Sequence, residues 1–306
     1  MLPAVNGPSE QFLTGLDQIQ SAMNTVQQQL SSGLRVGQAS DDPSAVPSIL
    51  ETQSEIAQNT QAQTNLNQVN TELQTGDSSL QQAVTLIEQA ITLAAQTGST
   101  DNNDTQDATL AAQVESIQEQ LVDLSNTSVN GRYIFSGDSD QQAAYALDST
   151  QPNGVQQLAP AKSTLVITDT NGNTLWTPMT AQQIFDARNA DGTTASGNVF
   201  AAVNSLLTAL QNNDSSAALG TTDSLKAADD YLNQQLGLIG IAETRVTDAT
   251  TAASKSVTTE QQDLSTLRDA DTAGDAVEVT ELNTQQQAAL SARAAMSQYN
   301  LFDFLA

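Results

Sequence analysis

Several residue types are missing or scarce in this chain, and each absence removes a class of chemistry. There is no cysteine and no histidine among the 306 residues. That excludes disulfides, thiol nucleophiles, thiolate or imidazole metal ligands and the usual acid–base side chain at neutral pH. Aromatic residues make up only 4%, too few for a wide globular core. Lysine and arginine together number 9 against 35 aspartates and glutamates, for a formal net charge of −26. Nucleic acid and anionic membranes are poor partners for such a chain, because both are held by basic groups. The charge keeps free subunits soluble, opposes close assembly at low salt, and fits saline surroundings where screening is strong. No apolar run reaches the roughly eighteen residues of a membrane span. The start lacks the basic-then-apolar order of a signal peptide, so by the general secretion route the chain reads as cytoplasmic.

What the chain has in quantity is helical periodicity. Between Pro47 and Thr97, Leu66, Leu73, Leu80, Ile87 and Ala94 recur every seventh residue. Val69, Ala83 and Ala90 fill the offset seam, with Gly76 its weakest point. Such spacing keeps one stripe against a neighbouring helix. About fifty residues at roughly 1.5 Å each span about 75 Å, so the stripe needs long partners. A second run over 105–130 carries Leu110, Val114, Ile117, Leu121 and Leu124; the short loop before it predicts an antiparallel neighbour. A third covers 223–268, with Leu225, Leu232, Ile239, Val246 and Ala253 on one register.

Each end of the chain adds a shorter helix beyond a break. Over 9–32, Phe12, Leu16, Ile19, Met23, Val26 and Leu30 step by three or four. The helix over 276–300 carries Val279, Leu282, Ala289, Leu290 and Met296, ahead of Leu301, Phe302, Phe304 and Leu305. These two helices are expected to pair. As an isolated pair they would leave much apolar surface wet, which predicts an assembly surface made of Phe12, Leu16, Ile19, Met23, Val26, Leu30, Leu282, Ala289, Met296, Leu301, Phe302, Phe304 and Leu305. The break after the first helix holds Arg35, the lone basic residue of the first 130, and the turn signal Asp41–Asp42–Pro43. A guanidinium clamp on Asp41, Asp42 or a neighbouring subunit is the expected use of Arg35.

The centre is different. From 138 to about 196 the chain is polar, with a hairpin expected where Thr164–Thr168 and Thr174–Trp176 flank Asp169–Asn173, and a short helix over Thr180–Asp186. A compact helix follows at 198–211. Trp176 is expected to be the core residue of this insert. Just before it, Gly131 and Gly137 bracket Arg132, Tyr133 and Phe135. The aromatics are expected to tuck onto the bundle end while Arg132 stays wet. The fold class is therefore mainly α: an elongated antiparallel long-helix bundle or coiled coil built from both chain ends, with a small mixed α/β or β-rich insert. Expected divisions are 1–45 with 271–306, then 46–137 with 223–270, then 138–222.

No constellation for catalysis stands out. Asp41–Asp42 and Asp229–Asp230 are adjacent, so on a helix they diverge by about 100° rather than face each other. Asp169, Asn171 and Asn173 have alternate oxygen spacing, but the glycine falls at the fourth position and no glutamate closes the loop. No cofactor and no metal site is expected.

Leu30–Ser31–Ser32–Gly33–Leu34–Arg35–Val36 followed by Ser40–Asp41–Asp42–Pro43 resembles the N-terminal signature of the bacterial flagellin superfamily. The final helix, from Glu278–Val279–Thr280–Glu281–Leu282 through Gln298–Tyr299–Asn300–Leu301, with Phe302–Asp303–Phe304–Leu305 after it, is similar to its C-terminal signature. Asn130–Gly131–Arg132–Tyr133–Ile134–Phe135–Ser136–Gly137, Pro43 and the Leu301–Leu305 ending resemble the branch that joins hook to filament. The first eight residues depart from the usual start of that branch. The resemblance covers 9–137 and 223–305. It implies a structural subunit, exported unfolded through the flagellar type III apparatus without a cleaved signal peptide and working outside the cell in the flagellum. Its partners would be copies of itself, the hook-side junction protein, filament subunits and an export chaperone. In that reading Gly131–Gly137 is the hinge into the outer domain, its glycines giving backbone freedom. The filament subunit itself, and a secreted coiled-coil adhesin or translocator, are the competing readings.

Overall fold

The computed structural model describes residues 7–98, 104–159 and 162–296, and side chains within all but a few of these. Of the described residues 69% are helical, and the chain divides into two compact units, residues 1–58 with 255–306 and residues 59–254. The division falls within two long helices, α2 (Val46–Gln96) and α7 (Thr222–Arg268).

The terminal unit is built on α1 (Gly7–Ser32) and α8 (Thr272–Met296). They run antiparallel. At one end the Arg293 guanidinium lies 5.7 Å from the Phe12 ring centre; at the other, Leu34 forms a β-bridge with Asp269. Gly33 closes α1 in the left-handed region at φ 71°, and its carbonyl accepts from the Ala270 amide at 3.0 Å.

The inner unit packs α2, α3 (Asp104–Ser125) and α7 around the expected stripes. Leu66, Leu73, Leu80, Ile87 and Ala94 are all buried, as are Leu225, Leu232, Ile239, Val246 and Ala253. Two carboxylate pairs fix the direction of α7 against α2: Asp229 feels Glu88, and Glu243 feels Asp77. Numbers rise on one helix as they fall on the other, so the pair is antiparallel. The same holds for α2 and α3, where Thr92 and Gln113 share one stretch of groove and Gln82 and Asp123 the next.

After α3 comes a hairpin, β1 (Ser128–Val129) with β2 (Arg132–Tyr133). Asn130 and Gly131 turn it with φ 53° and 80°, the backbone that a two-residue type I′ turn demands. Two further two-stranded pieces follow: β3 (Tyr145–Leu147) with β4 (Val155–Gln157), and β5 (Ile167–Thr168) with β6 (Thr174–Trp176). The second is the hairpin expected from the sequence. Its turn is held by the Asp169 carboxylate, which accepts from the amides of Asn171 and Asn173, both at 2.8 Å. The short helix α4 (Ala181–Phe185) is closed at its start by a capping box between Thr180 and Gln183. Helix α5 (Val199–Gln211) is capped by Asn198, and α6 (Ser215–Gly220) by Asp214.

Four expectations need correction. The second periodic run ends at Ser125 rather than 130, because the Asn-Gly turn takes over. Helix α6 was not anticipated; six residues carry too little periodicity to announce it. Gly76 is not an open gap in the seam: it is buried, and the Phe135 ring packs over it, close enough that an added Cβ would touch the ring at an ordinary van der Waals distance of 3.4 Å. Trp176 is not the core of the insert. It is half-buried and faces Val69, Leu73 and Ile239 of the long helices. The insert's own core is an aromatic stack, Phe185 with Phe200 at 5.7 Å and Tyr145 with Phe200 at 5.1 Å.

Candidate assembly surface, turn clamp and hinge segment

The stripe of α1 is only partly covered. Val26 is buried, while Phe12, Leu16, Ile19, Met23 and Leu30 are half-buried. Beside them Leu13 is 56% exposed. On α8, Leu282 is buried and Val279 and Ala289 are half-buried, but Val277 and Leu290 are 65% and 49% exposed. Two helices can cover only the line along which they touch, so stripes wider than that line stay wet. The Met296 side chain and Leu301, Phe302, Phe304 and Leu305 lie outside the described residues.

The turn after α1 is fastened by Arg35. Its Nη1 donates to Asp42 Oδ2 at 3.2 Å, and its Nη2 to the Leu267 carbonyl at 2.5 Å. The Arg35 and Val36 amides both donate to the Arg268 carbonyl, at 2.8 and 3.1 Å. One guanidinium thus ties the turn to itself and to the last carbonyls of α7, which have no partner within the helix. Of the two aspartates offered by the sequence, Asp42 takes the guanidinium. Asp41 instead accepts from the Gly37 and Gln38 amides, at 3.0 and 2.8 Å. Pro43 follows in the exposed turn, and Ser44 donates its hydroxyl to Asp42 Oδ1 at 2.6 Å. The Ser44 hydroxyl first, then Arg35, hold the Asp42 carboxyl below its usual range. Sequence reasoning named Arg35 and Asp42 but not the Leu267 carbonyl, because a backbone acceptor more than two hundred residues away leaves no local trace.

The segment 130–137 is ordered by its neighbours. Arg132 Nε donates to Asp140 Oδ2 at 2.6 Å, so the arginine is paired rather than merely wet. Hydrogen bonds from Gln141, then Arg132, keep the Asp140 carboxyl below its ordinary value. Phe135 is buried, packed edge-on to Phe185 at 6.2 Å, and its carbonyl accepts from the Ala181 amide at 2.7 Å. Gly137 has φ 58°, and a Cβ there would run into the backbone carbonyl of Lys162. Its role is close approach as well as a left-handed turn. The neighbouring Asp138 amide donates to that same carbonyl at 2.8 Å.

The insert also holds a polar hub that the sequence did not suggest. Asp186, almost fully buried, accepts from Tyr145 Oη, Asn153 Nδ2, Asn198 Nδ2 and the Arg188 guanidinium at 2.7–3.1 Å. Burial first, then the Asp186 charge, pushes the Tyr145 hydroxyl pKa up. Every donor has an acceptor, so the cluster reads as an internal tie, not a reacting centre. Among the described residues there is no group of three acidic side chains able to hold a metal ion, and no helix long and apolar enough to cross a membrane.

The helical region at the N-terminus of bacterial flagellins matches residues 4–140, and the C-terminal helical region of bacterial flagellins matches residues 222–305. The chain belongs to the bacterial flagellin family. These are structural proteins of the flagellum. Flagellar hook-associated protein 3 of Escherichia coli (strain K12) is 26% identical over 210 residues, covering 66% of this chain and 64% of that protein. The protein of the same name from Salmonella typhimurium is 26% identical over 207 residues, with the same coverage. The chain thus aligns with just under two thirds of the length of these curated relatives. Among solved structures, hook-associated protein 3 from Legionella pneumophila is similar with a TM-score of 0.60 at 13% identity, covering 72% of this chain and 98% of that one. A Vibrio parahaemolyticus structure assigned as a flagellar hook-associated protein gives 0.63 at 18% identity, covering 74% and 99%. These two likenesses speak for the fold.

Proposed function

We propose that the chain is a structural subunit of the flagellum that forms the junction between hook and filament, assembling through its terminal helices. The observation that carries this reading is the contrast between the half-wet stripes of α1 and α8 and the dry interior of the inner unit. Complete burial of one large apolar side chain is worth roughly 1.5–3 kcal/mol. Several half-buried ones repeated along an assembly can exceed the repulsion of a screened acidic surface.

In this reading Phe12, Leu16, Ile19, Met23, Val26, Leu30, Leu282, Ala289, Met296 and the Leu301–Leu305 ending meet neighbouring copies. Arg35 and Asp42 hold the turn that aims α1, and Gly131–Gly137 joins the long helices to the insert. Residues 1–45 with 271–306 form the inner layer, 46–137 with 223–270 the middle one, and 138–222 the outer one. Partners are copies of the chain, the hook-side junction protein, filament subunits and, before export, a type III chaperone. The protein works outside the cell, reaches it without a cleaved signal peptide, and catalyses nothing. The kinship with hook-associated protein 3 and the segment 130–137 favour the junction. The match of both ends to flagellin helical regions keeps the filament subunit as the second reading.

Purified protein offered to isolated hooks separates the two. The junction reading expects incorporation at hook ends as a short ring, with no elongation alone. Micrometre-long filaments grown from seeds would establish the filament subunit instead.

A further inference from the structure

The inner unit carries a second unused surface, on α7. Leu238 and Ile241 are 43% and 52% exposed, and with Arg245 they stand on one helical face at spacings of three and four. Gly237 and Gly240 lie within the same turns. A Cβ on either would meet nothing within 4 Å, so packing inside the chain does not require them. Each costs a helix about 1 kcal/mol relative to alanine. What a glycine gives in return is close approach by another backbone. Arg245 makes no ion pair among the described residues. On its own helix Asp248 stands three residues on, yet no ion pair joins it to Arg245 among the described residues, and Glu243, two residues back, is turned toward Asp77 of α2.

A complementary surface lies between α2 and α3. There a trough of about 590 Å³ has Leu93 and Ile117 among its lining residues, with Glu88 beside them. It continues past Thr85 and Gln120 to Leu86, Leu124 and Asp123. Residues 36–131 contain no lysine or arginine at all, so this trough has acid and no base.

We infer that the α7 ridge of one copy, Gly237–Arg245, seats in the α2–α3 trough of the next. This rests on the reading of the chain as a self-assembling subunit and names a contact within that assembly. In this contact Leu238 and Ile241 meet Leu93, Ile117, Leu86 and Leu124, the apolar points of a groove otherwise lined by Gln, Thr and Ser, and Arg245 meets the acids at its rim. Ridge against ridge would leave the acidic trough empty and Arg245 without an acid from it, so the contact we infer is head-to-tail. Head-to-tail contacts propagate into rings or helices rather than stopping at a dimer.

The absence of native cysteine makes the test direct. Ile241→Cys and Gln120→Cys variants, mixed and offered to isolated hooks under mild oxidation, are expected to give a covalent dimer of unlike chains. The double variant is expected to give a ladder. No crosslink, or Ile241→Cys pairing chiefly with itself, overturns the inference. In parallel, Arg245→Glu is expected to slow assembly at low salt at least tenfold, and combining it with Glu88→Lys and Asp123→Lys to restore the rate. An unchanged rate in Arg245→Glu, or no recovery in the combined variant, counts against it. Incorporation at hook ends without crosslinks defeats the ridge-and-trough contact alone. Crosslinks without hook-end incorporation defeat the junction reading alone.

Discussion

The terminal and inner units use the same apolar periodicity and end with opposite interiors. Among the described residues, the terminal unit buries Val26, Val36, Ile49 and Leu282. The inner unit buries an unbroken set from Leu66 to Val246, closed by the aromatics Tyr145, Phe185 and Phe200. The difference lies in the number of helices sharing a seam. In the inner unit α2 has α3 on one side and α7 on another, so a wide stripe finds cover all round. In the terminal unit α1 and α8 have mainly each other. The same residues that make a core in one place therefore make a sticky surface in the other.

The comparison can be pressed hardest at the aromatic stack. Phe200→Ala removes a fully buried ring between Phe185 and Tyr145. It is expected to cost about 3–5 kcal/mol in denaturant unfolding of the inner unit. Next comes Gly137→Ala, whose Cβ collides with the Lys162 backbone at a left-handed φ. A loss of about 2 kcal/mol in the same assay is expected. Leu282→Ala sharpens the contrast from the other side. It removes one of the few buried side chains of the terminal unit. It should lower the stability of that unit by up to about 2 kcal/mol, since a partly open site relaxes around the loss, and leave the unfolding midpoint of the inner unit where it was.

Smaller effects follow at charged groups. Arg35→Ala is expected to leave the unfolding midpoint nearly unchanged, because the pair with Asp42 is exposed. The same change should speed amide exchange at Arg35, Val36 and Ala270. Since the Asp42 carboxyl is held below the ordinary aspartate value of 3.8, the support it gives is present above that value and fades as pH falls through the folded pKa. For two carboxyls of α7 the sign reverses. Burial, then Glu88 and Asp230, raise the Asp229 carboxyl; burial, then Asp77, raise that of Glu243. A carboxyl raised by folding lowers stability above its folded pKa, and the penalty disappears as pH falls toward the unfolded value. Asp229→Asn is expected to raise the unfolding midpoint slightly at neutral pH, by less than about 0.5 kcal/mol, and to flatten its rise as pH falls toward the unfolded carboxyl value.

Much of the fold was legible because it rests on local repetition. The buried positions of α2 and α7 are those of the seven-residue registers, and the pairing of α1 with α8 follows from their stripes. The hairpin at Asp169–Asn173 is announced by its turn residues, and a short helix over Thr180–Asp186 is within reach of the sequence. What escaped depends on partners far away in sequence. Gly76 looks like a flaw until Phe135 is laid on it. Trp176 looks like a core residue of the insert until Val69 and Ile239 are found beside it. Asp186 looks like an ordinary aspartate until Tyr145, Asn153, Asn198 and Arg188 converge on it. Asn130–Gly131 was a local signal, the strongest short hairpin signature there is, and it was passed over in favour of a hinge. At the turn clamp, the pair Arg35–Asp42 was within reach of the sequence, whereas the choice of Asp42 over Asp41 was decided by backbone amides that Asp41 could cap.

The central claim, that the terminal helices find their cover on neighbouring copies, is tested most directly by amide hydrogen exchange measured residue by residue in free monomer and in assembled protein. The account predicts fast exchange along α1 and α8 in the monomer, strong protection of both after assembly, and slow exchange in residues 66–94 of α2 and 225–246 of α7 in either state. Equal and strong protection of α1 and α8 in the dilute monomer, unchanged by assembly, would contradict it.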